Sequence, residues 1–166
     1  MPHFGARFED LASDTTDESY ISVVGIKMAD TVGHRLRLRS IVISGYPDGA
    51  SPVDKQINLR LARSDNTSDG TATAQNVNTI AKKDPDSVAS NVAALKTNYT
   101  AEPTTIDTDK LPLGTLNTRG TLVKEWTDPD EMPRITRDQT LLLQVEKNDG
   151  AASAILINAD IEWEEY

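Results

Sequence analysis

The side chains that could perform catalysis are few in this chain and lie far apart. It has two histidines, His3 and His34, and no cysteine, which excludes a disulfide framework and a thiolate metal site. The histidines fall in different predicted strands, and no G-x-S-x-G segment indicates a serine nucleophile. Because lone histidines are usually surface residues, we interpret both in this way and expect no catalytic residue and no enzyme activity.

Acidic residues provide the other candidate chemistry. Asp65-x-Thr67-x-Asp69-Gly70 is similar to the start of a calcium loop, but an EF-hand needs glutamate at its twelfth place, where Asn76 stands. We interpret the segment as a polar turn and leave a weak calcium site near Asp65 and Asp69 open. The acidic clusters at 14–18, 128–131 and 162–165 are interpreted as solvated turns and edges rather than a glycosidase pair.

Gly114 and Gly120 lack the spacing of a phosphate-binding loop, so we expect no cofactor.

Three arginines, Arg35, Arg37 and Arg39, alternate along one predicted strand and therefore project from one face of it. Guanidinium groups suit acidic patches on a protein partner. The structural alternative is pairing with Asp or Glu on a neighbouring strand, which we favour for at least some of the three.

Two extended stretches, 99–116 and 127–134, contain four prolines. Such segments suit subunit contacts because little chain entropy remains to be lost on binding. The candidate partner contacts are therefore Arg35, Arg37, Arg39, Tyr99, Pro103, Pro129 and Pro133.

Alternating apolar residues predict strands through most of the chain. The clearest case is the C-terminal segment, where Ile155, Ile157, Ala159, Ile161 and Trp163 share one face. Further strands are predicted at 4–9, 20–28, 34–44, 57–62, 121–126 and 140–146. The alternation slips after Arg39, which predicts a β-bulge near Ser40.

The connections complete the predicted architecture. Asn148-Asp149-Gly150 predicts a hairpin between the last two strands. Residues 71–105 show no sustained alternation and are interpreted as one long, ordered surface excursion or as part of a contact. Within them, Asp84-Pro85-Asp86-Ser87 would cap a short helix over 88–95. We expect a single all-β domain over residues 1–166: an antiparallel β-sandwich, either a plain sandwich or a jelly roll.

Net charge limits the possible partners. The chain has 26 acidic and 17 basic side chains, a formal net charge of -9, so nucleic acid and anionic membranes are disfavoured as partners. No apolar run approaches the about 20 residues that a transmembrane helix needs. The N-terminus lacks the pattern of a signal peptide, and we expect synthesis in a cytoplasm.

Several short segments resemble a family of small phage-encoded β proteins. They are 2–10, 57–63, 71–74 with 84–89, 161–166 and, most specifically, Asn98-Tyr99-Thr100-Ala101-Glu102-Pro103-Thr104. The resemblance implies a jelly-roll capsid cement (decoration) protein of tailed phages. Such a protein is a virion structural protein, often trimeric, that binds major capsid protein subunits on the outer capsid surface and stabilises them without catalysis.

The alternative is a carbohydrate- or receptor-binding β-sandwich of a phage tail or fibre. Sugar sites display exposed aromatic rings, whereas aromatic residues make up 5% of this chain. Phe4, Phe8, Trp126 and Trp163 all fall in predicted strands and are expected in the core. A glycosidase or esterase is disfavoured because its motifs are missing.

Overall fold

The computed structural model describes residues 1–13, 18–46, 55–65, 69–148 and 154–166. These residues form twelve strands and one 3-10 helix, Val77–Thr79. The strands are β1 His3–Ala12, β2 Tyr20–Met28, β3 Arg35–Tyr46, β4 Gln56–Asp65, β5 Thr71–Gln75, β6 Ala81–Lys82, β7 Val92–Ala101, β8 Leu111–Asn117, β9 Thr121–Glu125, β10 Arg134–Thr136, β11 Gln139–Lys147 and β12 Leu156–Glu165.

The strands form two antiparallel sheets packed face to face. Sheet A has the order β10-β3-β12-β1-β6, with β9 also paired to β3, and sheet B has the order β5-β7-β2-β11-β4-β8. Strand pairing is nested along the chain: the first strand pairs with the last, and each further pair lies inside the previous one. The pairs are β1–β12, β2–β11, β3–β9/β10 and β4–β8. Nested antiparallel pairs split between two sheets define a jelly roll. The predicted all-β sandwich is confirmed, and the pairing identifies it as a jelly roll.

The core between the sheets follows the predicted alternation. The inner residues of β12, from Ile157 to Trp163 at every second position, are at most 3% exposed, and Trp163 stacks on Phe4 with ring centroids 6.2 Å apart. Along β3 the register with β12 shifts between Ser40 and Leu38, so Arg39 is the extra, bulged residue. The bulge predicted near Ser40 is therefore confirmed.

The predicted hairpin between the last two strands is wrong. β11 lies in sheet B and β12 in sheet A, so the two strands do not pair; Asp149 and Gly150 themselves lie outside the described residues. Turn residues favour a reversal of the chain. They do not determine which sheet the next strand joins.

The excursion is ordered but holds strands rather than the predicted helix over 88–95. Asp84 accepts hydrogen bonds from Asp86 N at 3.0 Å and Ser87 N at 3.1 Å, closing a turn rather than capping a helix. Val92 and Leu95 then enter β7, where they are buried and pair with the free side of β2. Pairing with β2 satisfies the backbone groups on one side of β7.

The excursion also covers one side of the sandwich. β5 and β7 extend sheet B beyond β2, and β6 extends sheet A beyond β1. Val77 and Ile80, between β5 and β6, pack against the core. The opposite side, bounded by β8 and by β9 and β10, has no comparable cover among the described residues. Within these same ranges, no helix is long and apolar enough to cross a membrane.

Candidate partner-binding surface

The predicted arginine row lies on the outer face of sheet A, and two of its members share one carboxylate. Arg37 Nε donates to Glu164 Oε2 at 2.7 Å, and Arg39 Nη1 donates to Glu164 Oε1 at 2.5 Å. His3 Nε2 lies 2.8 Å from Glu164 Oε1. Arg37 also stacks on Tyr166, 5.1 Å from the ring centroid. Cross-strand pairing, the role favoured for some of the arginines, therefore holds for Arg37 and Arg39.

Glu164 is held in its charged form. Its side chain is 5% exposed, and burial alone raises the pKa of a carboxyl group. Hydrogen bonds from Arg39 and Arg37 and the charges of both arginines outweigh this effect, so the pKa of Glu164 is lowered. This site is an ion-paired structural centre, and the exposed remainder of the row is Arg35 with part of Arg39, whose side chain is 40% exposed.

The proline-containing segment 127–134 lies directly beside the arginine row. Trp126 N donates to Arg39 O at 2.9 Å and Leu38 N donates to Pro133 O at 2.8 Å, so the chain leaves and rejoins β3 at its bulge. β9 and β10 are thus one edge strand interrupted by a loop. We call residues 127–131 the acidic loop.

The acidic loop is a structured projection. Asp128 accepts hydrogen bonds from Asp130 N at 2.9 Å and Glu131 N at 3.1 Å, which closes a turn around Pro129. Residues 127–131 are all exposed, whereas Met132 and Pro133 are buried and anchor the loop in the sandwich. Of the predicted contacts, Pro129 is therefore at the surface, and Pro133 is buried within the chain itself.

A cleft of about 580 Å³ opens next to the acidic loop, on the uncovered side of the sandwich. Leu61, Met132 and Leu141 provide apolar lining, and Leu111, at 41% exposure, lies at its rim. Charges of both signs surround it: Asp109, Asp130, Glu131, Arg63, Lys110 and Arg134. An apolar floor within a charged rim is the usual anatomy of a protein–protein contact.

Tyr99 and Pro103 lie on the outer face of sheet B, and both are buried within the chain. Tyr99 crosses Gly25 so closely that a Cβ at Gly25 would lie 2.0 Å from the Tyr99 hydroxyl, which explains the need for glycine there. Burial, assisted by the negative charges of Glu102 and Asp69, raises the pKa of Tyr99. Tyr99 forms a small second core with Ala62 and Leu142.

The connection from β7 to β8 covers this same face. Because β2, β11 and β4 separate β7 from β8 in sheet B, residues 102–110 must cross those strands. Glu102 accepts hydrogen bonds from Ser22 N at 2.5 Å, Ser22 Oγ at 2.6 Å and Gln144 Nε2 at 3.2 Å. Asp107 N then donates to Arg63 O at 2.8 Å. Glu102 and Asp107 therefore attach this covering segment to the sheet, and Tyr99 and Pro103 are buried where it begins.

At the end of the candidate calcium segment, Asp69 forms ion pairs with lysines from two strands. Asp69 contacts Lys27 Nζ at 2.9 Å and Lys96 Nζ at 3.4 Å. Burial raises the pKa of Asp69, but these two ammonium groups outweigh it and lower the pKa. A calcium ion at Asp69 would have to displace both lysines. Among the described residues, no three His, Asp or Glu side chains are grouped as metal ligands.

The interpretation of 162–165 as solvated missed two buried carboxylates. Glu164 and Glu165 are 3% and 2% exposed, whereas Glu162 is half-buried and pairs with Lys83. Glu165 accepts hydrogen bonds from Ser90 Oγ at 2.5 Å, Asn91 N at 2.7 Å and Trp163 Nε1 at 3.0 Å. Ser90 and Asn91 belong to the excursion, far from Glu165 in the chain, so no local sequence signal could have indicated this burial.

Comparison with known proteins gives distant matches. No protein-family model matches the chain, and no curated protein sequence matches it. A solved structure of turnip yellow mosaic virus is similar at 12% identity and a TM-score of 0.32, over 97% of this chain and 90% of that one. A structure of infectious bursal disease virus (Gt strain) has 12% identity and a TM-score of 0.18, over 96% of this chain and 40% of that one. These TM-scores are too low to support a shared fold, so the jelly-roll assignment rests on the strand pairing.

Proposed function

We propose that this chain is a virion structural protein that decorates the outer surface of a phage capsid, binds major capsid protein subunits and stabilises them without catalysis. The observation that carries the proposal is the uncovered side of the jelly roll. There the exposed acidic loop borders a cleft whose lining includes Leu61, Met132 and Leu141 and whose rim carries charges of both signs, features typical of protein-binding surfaces. The arginine row lies next to the loop, on the outer face of sheet A.

The remainder of the molecule supports a rigid binding module. The excursion covers one side of the sandwich, and residues 102–110 cover the outer face of sheet B. Asn98, within the segment most similar to the phage family, links the sheets: its Oδ1 accepts from Ala12 N at 2.9 Å and its Nδ2 donates to Asp10 O at 3.3 Å. A preorganised module loses little conformational entropy when it binds.

The proposal includes self-association on the capsid, as a trimer in the family that the chain resembles. Its partner contacts are Arg35, the exposed part of Arg39, and Pro129 in the acidic loop. Arg37, Tyr99, Pro103 and Pro133 support these contacts from within the chain.

The test uses capsids assembled without the protein. Purified protein is mixed with them, and co-sedimentation and the heat stability of the capsid are measured. We expect the protein to sediment with the capsids and to raise their melting temperature. If it remains in the supernatant and the melting temperature is unchanged, the proposal is wrong.

A matched pair of variants locates the contact. Glu131→Lys reverses a charge in the acidic loop, whereas Asp86→Lys makes the same change on the exposed turn of the excursion. We expect Glu131→Lys to weaken capsid binding about tenfold or more, because interface charges affect both partner choice and association. Asp86→Lys should bind as the wild type does. Equal effects of the two variants would show that the acidic loop is not part of the interface.

A glycan array tests the carbohydrate-binding alternative. Clear hits on the array without capsid binding would favour it.

A further inference from the structure

The free edges of the two sheets are protected to different degrees. An edge strand presents unpaired backbone N–H and C=O groups that can pair with another chain. In the described part of the molecule, sheet B ends at β5 and β8, and sheet A ends at β6 and at the interrupted strand β9/β10. Proteins protect such edges with charge, proline, bulges or short length.

Every edge strand except β5 carries such protection within the strand itself. β8 contains Pro112, and its register against β4 shifts between Leu59 and Arg60. β9 carries Lys124 near its centre, and β10 begins with Arg134 and has three residues. β6 has only two residues. These edges are therefore poor templates for a further strand.

β5 differs in both composition and exposure. Its five residues, Thr71-Ala72-Thr73-Ala74-Gln75, include no charge and no proline, and all except Ala72 are exposed. One side of β5 pairs with β7, with a register shift between Thr71 and Thr73 whose extra residues lie on β7, and no strand in the described ranges pairs with its other side. Its outward backbone groups are thus available to a partner strand.

The sequence of β5 is complementary to itself. In an antiparallel pair of two copies centred on Thr73, Thr73 faces Thr73, Ala72 faces Ala74 and Thr71 faces Gln75. Threonine pairs can hydrogen-bond across strands. Identical strands usually destabilise each other by placing like charges opposite one another, and β5 has no charged residue. A different protein would find no charged side chain on β5 for specific recognition. The uncharged edge therefore favours a second copy of this chain as the partner.

We infer that β5 pairs antiparallel with β5 of a second copy, extending sheet B across a two-fold axis. The contact is isologous and leaves the acidic loop free, because that loop lies on the opposite side of the sandwich. It requires neither capsid binding nor any other contact between copies. Its test is therefore independent of the test of the proposed function.

The test exploits the absence of cysteine from the chain. Thr73→Cys introduces one thiol at the centre of the proposed pair, where opposite Cβ atoms lie about 4.5–5.5 Å apart, close to disulfide range. Thr121→Cys is the matched control on the exposed edge strand β9. Under mild oxidation at equal concentration, we expect Thr73→Cys to form covalent dimers on a denaturing gel at least about tenfold faster than Thr121→Cys, because pairing raises the effective concentration of the thiols.

A second pair of variants tests the contact without a disulfide. Thr73→Lys places two lysines opposite each other and should weaken self-association about fivefold or more in sedimentation, whereas Thr121→Lys should not. Thermal unfolding confirms that both variants fold. Equal cross-linking rates for the two cysteine variants would overturn the inference. So would a wild type that sediments as one chain throughout the concentration range.

Discussion

Glu164 and Glu165 are adjacent in the chain and have different surroundings. Successive side chains of a strand point to opposite faces. Glu164 therefore meets Arg37, Arg39 and His3 on the outer face of sheet A. Glu165 points inward at the end of the sandwich, where neutral donors surround it. Both carboxylates stabilise the fold, and only Glu164 does so through pairing with cations.

The stability that Glu164 provides should depend on pH. Because its pKa is lower in the folded than in the unfolded state, its contribution is present above the unfolded pKa and is lost as pH falls through the folded pKa. We expect Glu164→Gln to lower the free energy of unfolding by about 1–3 kcal/mol near neutral pH. This difference from the wild type should shrink as pH falls below about 4.3, the ordinary pKa of glutamate.

The measurement is urea unfolding of both proteins from pH 7 to pH 3. Glu162→Gln is the matched control on the same strand, since Glu162 and its partner Lys83 are each about half exposed. Its effect should be smaller at neutral pH, because exposed ion pairs contribute little. A Glu164→Gln deficit that stays constant down to pH 3 would contradict the assignment of a lowered pKa.

At the scale of elements, Glu165 connects β12 to the start of β7. Its carboxylate accepts hydrogen bonds from Ser90 and Asn91, which precede β7, and from Trp163 of its own strand. Ala29 N also donates to Asn91 O at 3.0 Å, so this junction joins both sheets. The excursion therefore contributes to the stability of the jelly roll as well as covering its side.

Removing this carboxylate should destabilise the protein strongly. We expect Glu165→Ala to cost about 2–4 kcal/mol, because it leaves buried donors without acceptors. Glu162→Ala on the same strand should cost less than about 1 kcal/mol. Urea unfolding measures both, and hydrogen exchange should show faster exchange of the Asn91 amide in Glu165→Ala. Equal costs for the two variants would indicate that the junction contributes no special stability.

At the scale of the whole molecule, the two sheets share one core. Phe4, Leu38 and Trp163 of sheet A and Ile26, Leu59 and Val145 of sheet B belong to the same buried cluster. The two strands of each nested pair lie far apart in the sequence. The folded state therefore requires contacts between distant segments, which favours cooperative unfolding.

We expect residues 1–166 to unfold in a single transition, as one domain does. Tryptophan fluorescence, which reports mainly on buried Trp163 and half-buried Trp126, should follow the same curve as far-ultraviolet circular dichroism. Scanning calorimetry should give equal calorimetric and van't Hoff enthalpies. Separate transitions for the two probes would show that the excursion or one sheet unfolds independently.

Local alternation of side chains was sufficient to predict most strands, the buried face of β12 and the bulge in β3. It also indicated that arginines pair across strands, since opposite charges at alternate positions meet in a sheet. The sequence did not indicate β5, β6, β7, β8 and β10. In the excursion, β6 becomes a strand by pairing with β1, β7 by pairing with β2, and β5 by pairing with β7.

The sheet that each strand joins, and the charged side chains that become buried, depend on contacts between distant parts of the chain. The turn predicted at 148–150 could not show that β11 and β12 separate into different sheets. Likewise, nothing near Glu165 in the chain shows that Ser90 and Asn91 will cover it. Pairing partners and covering segments come from distant parts of the chain, so local pattern could not place Tyr99 and Pro103 inside the molecule, or leave β5 as its least protected edge.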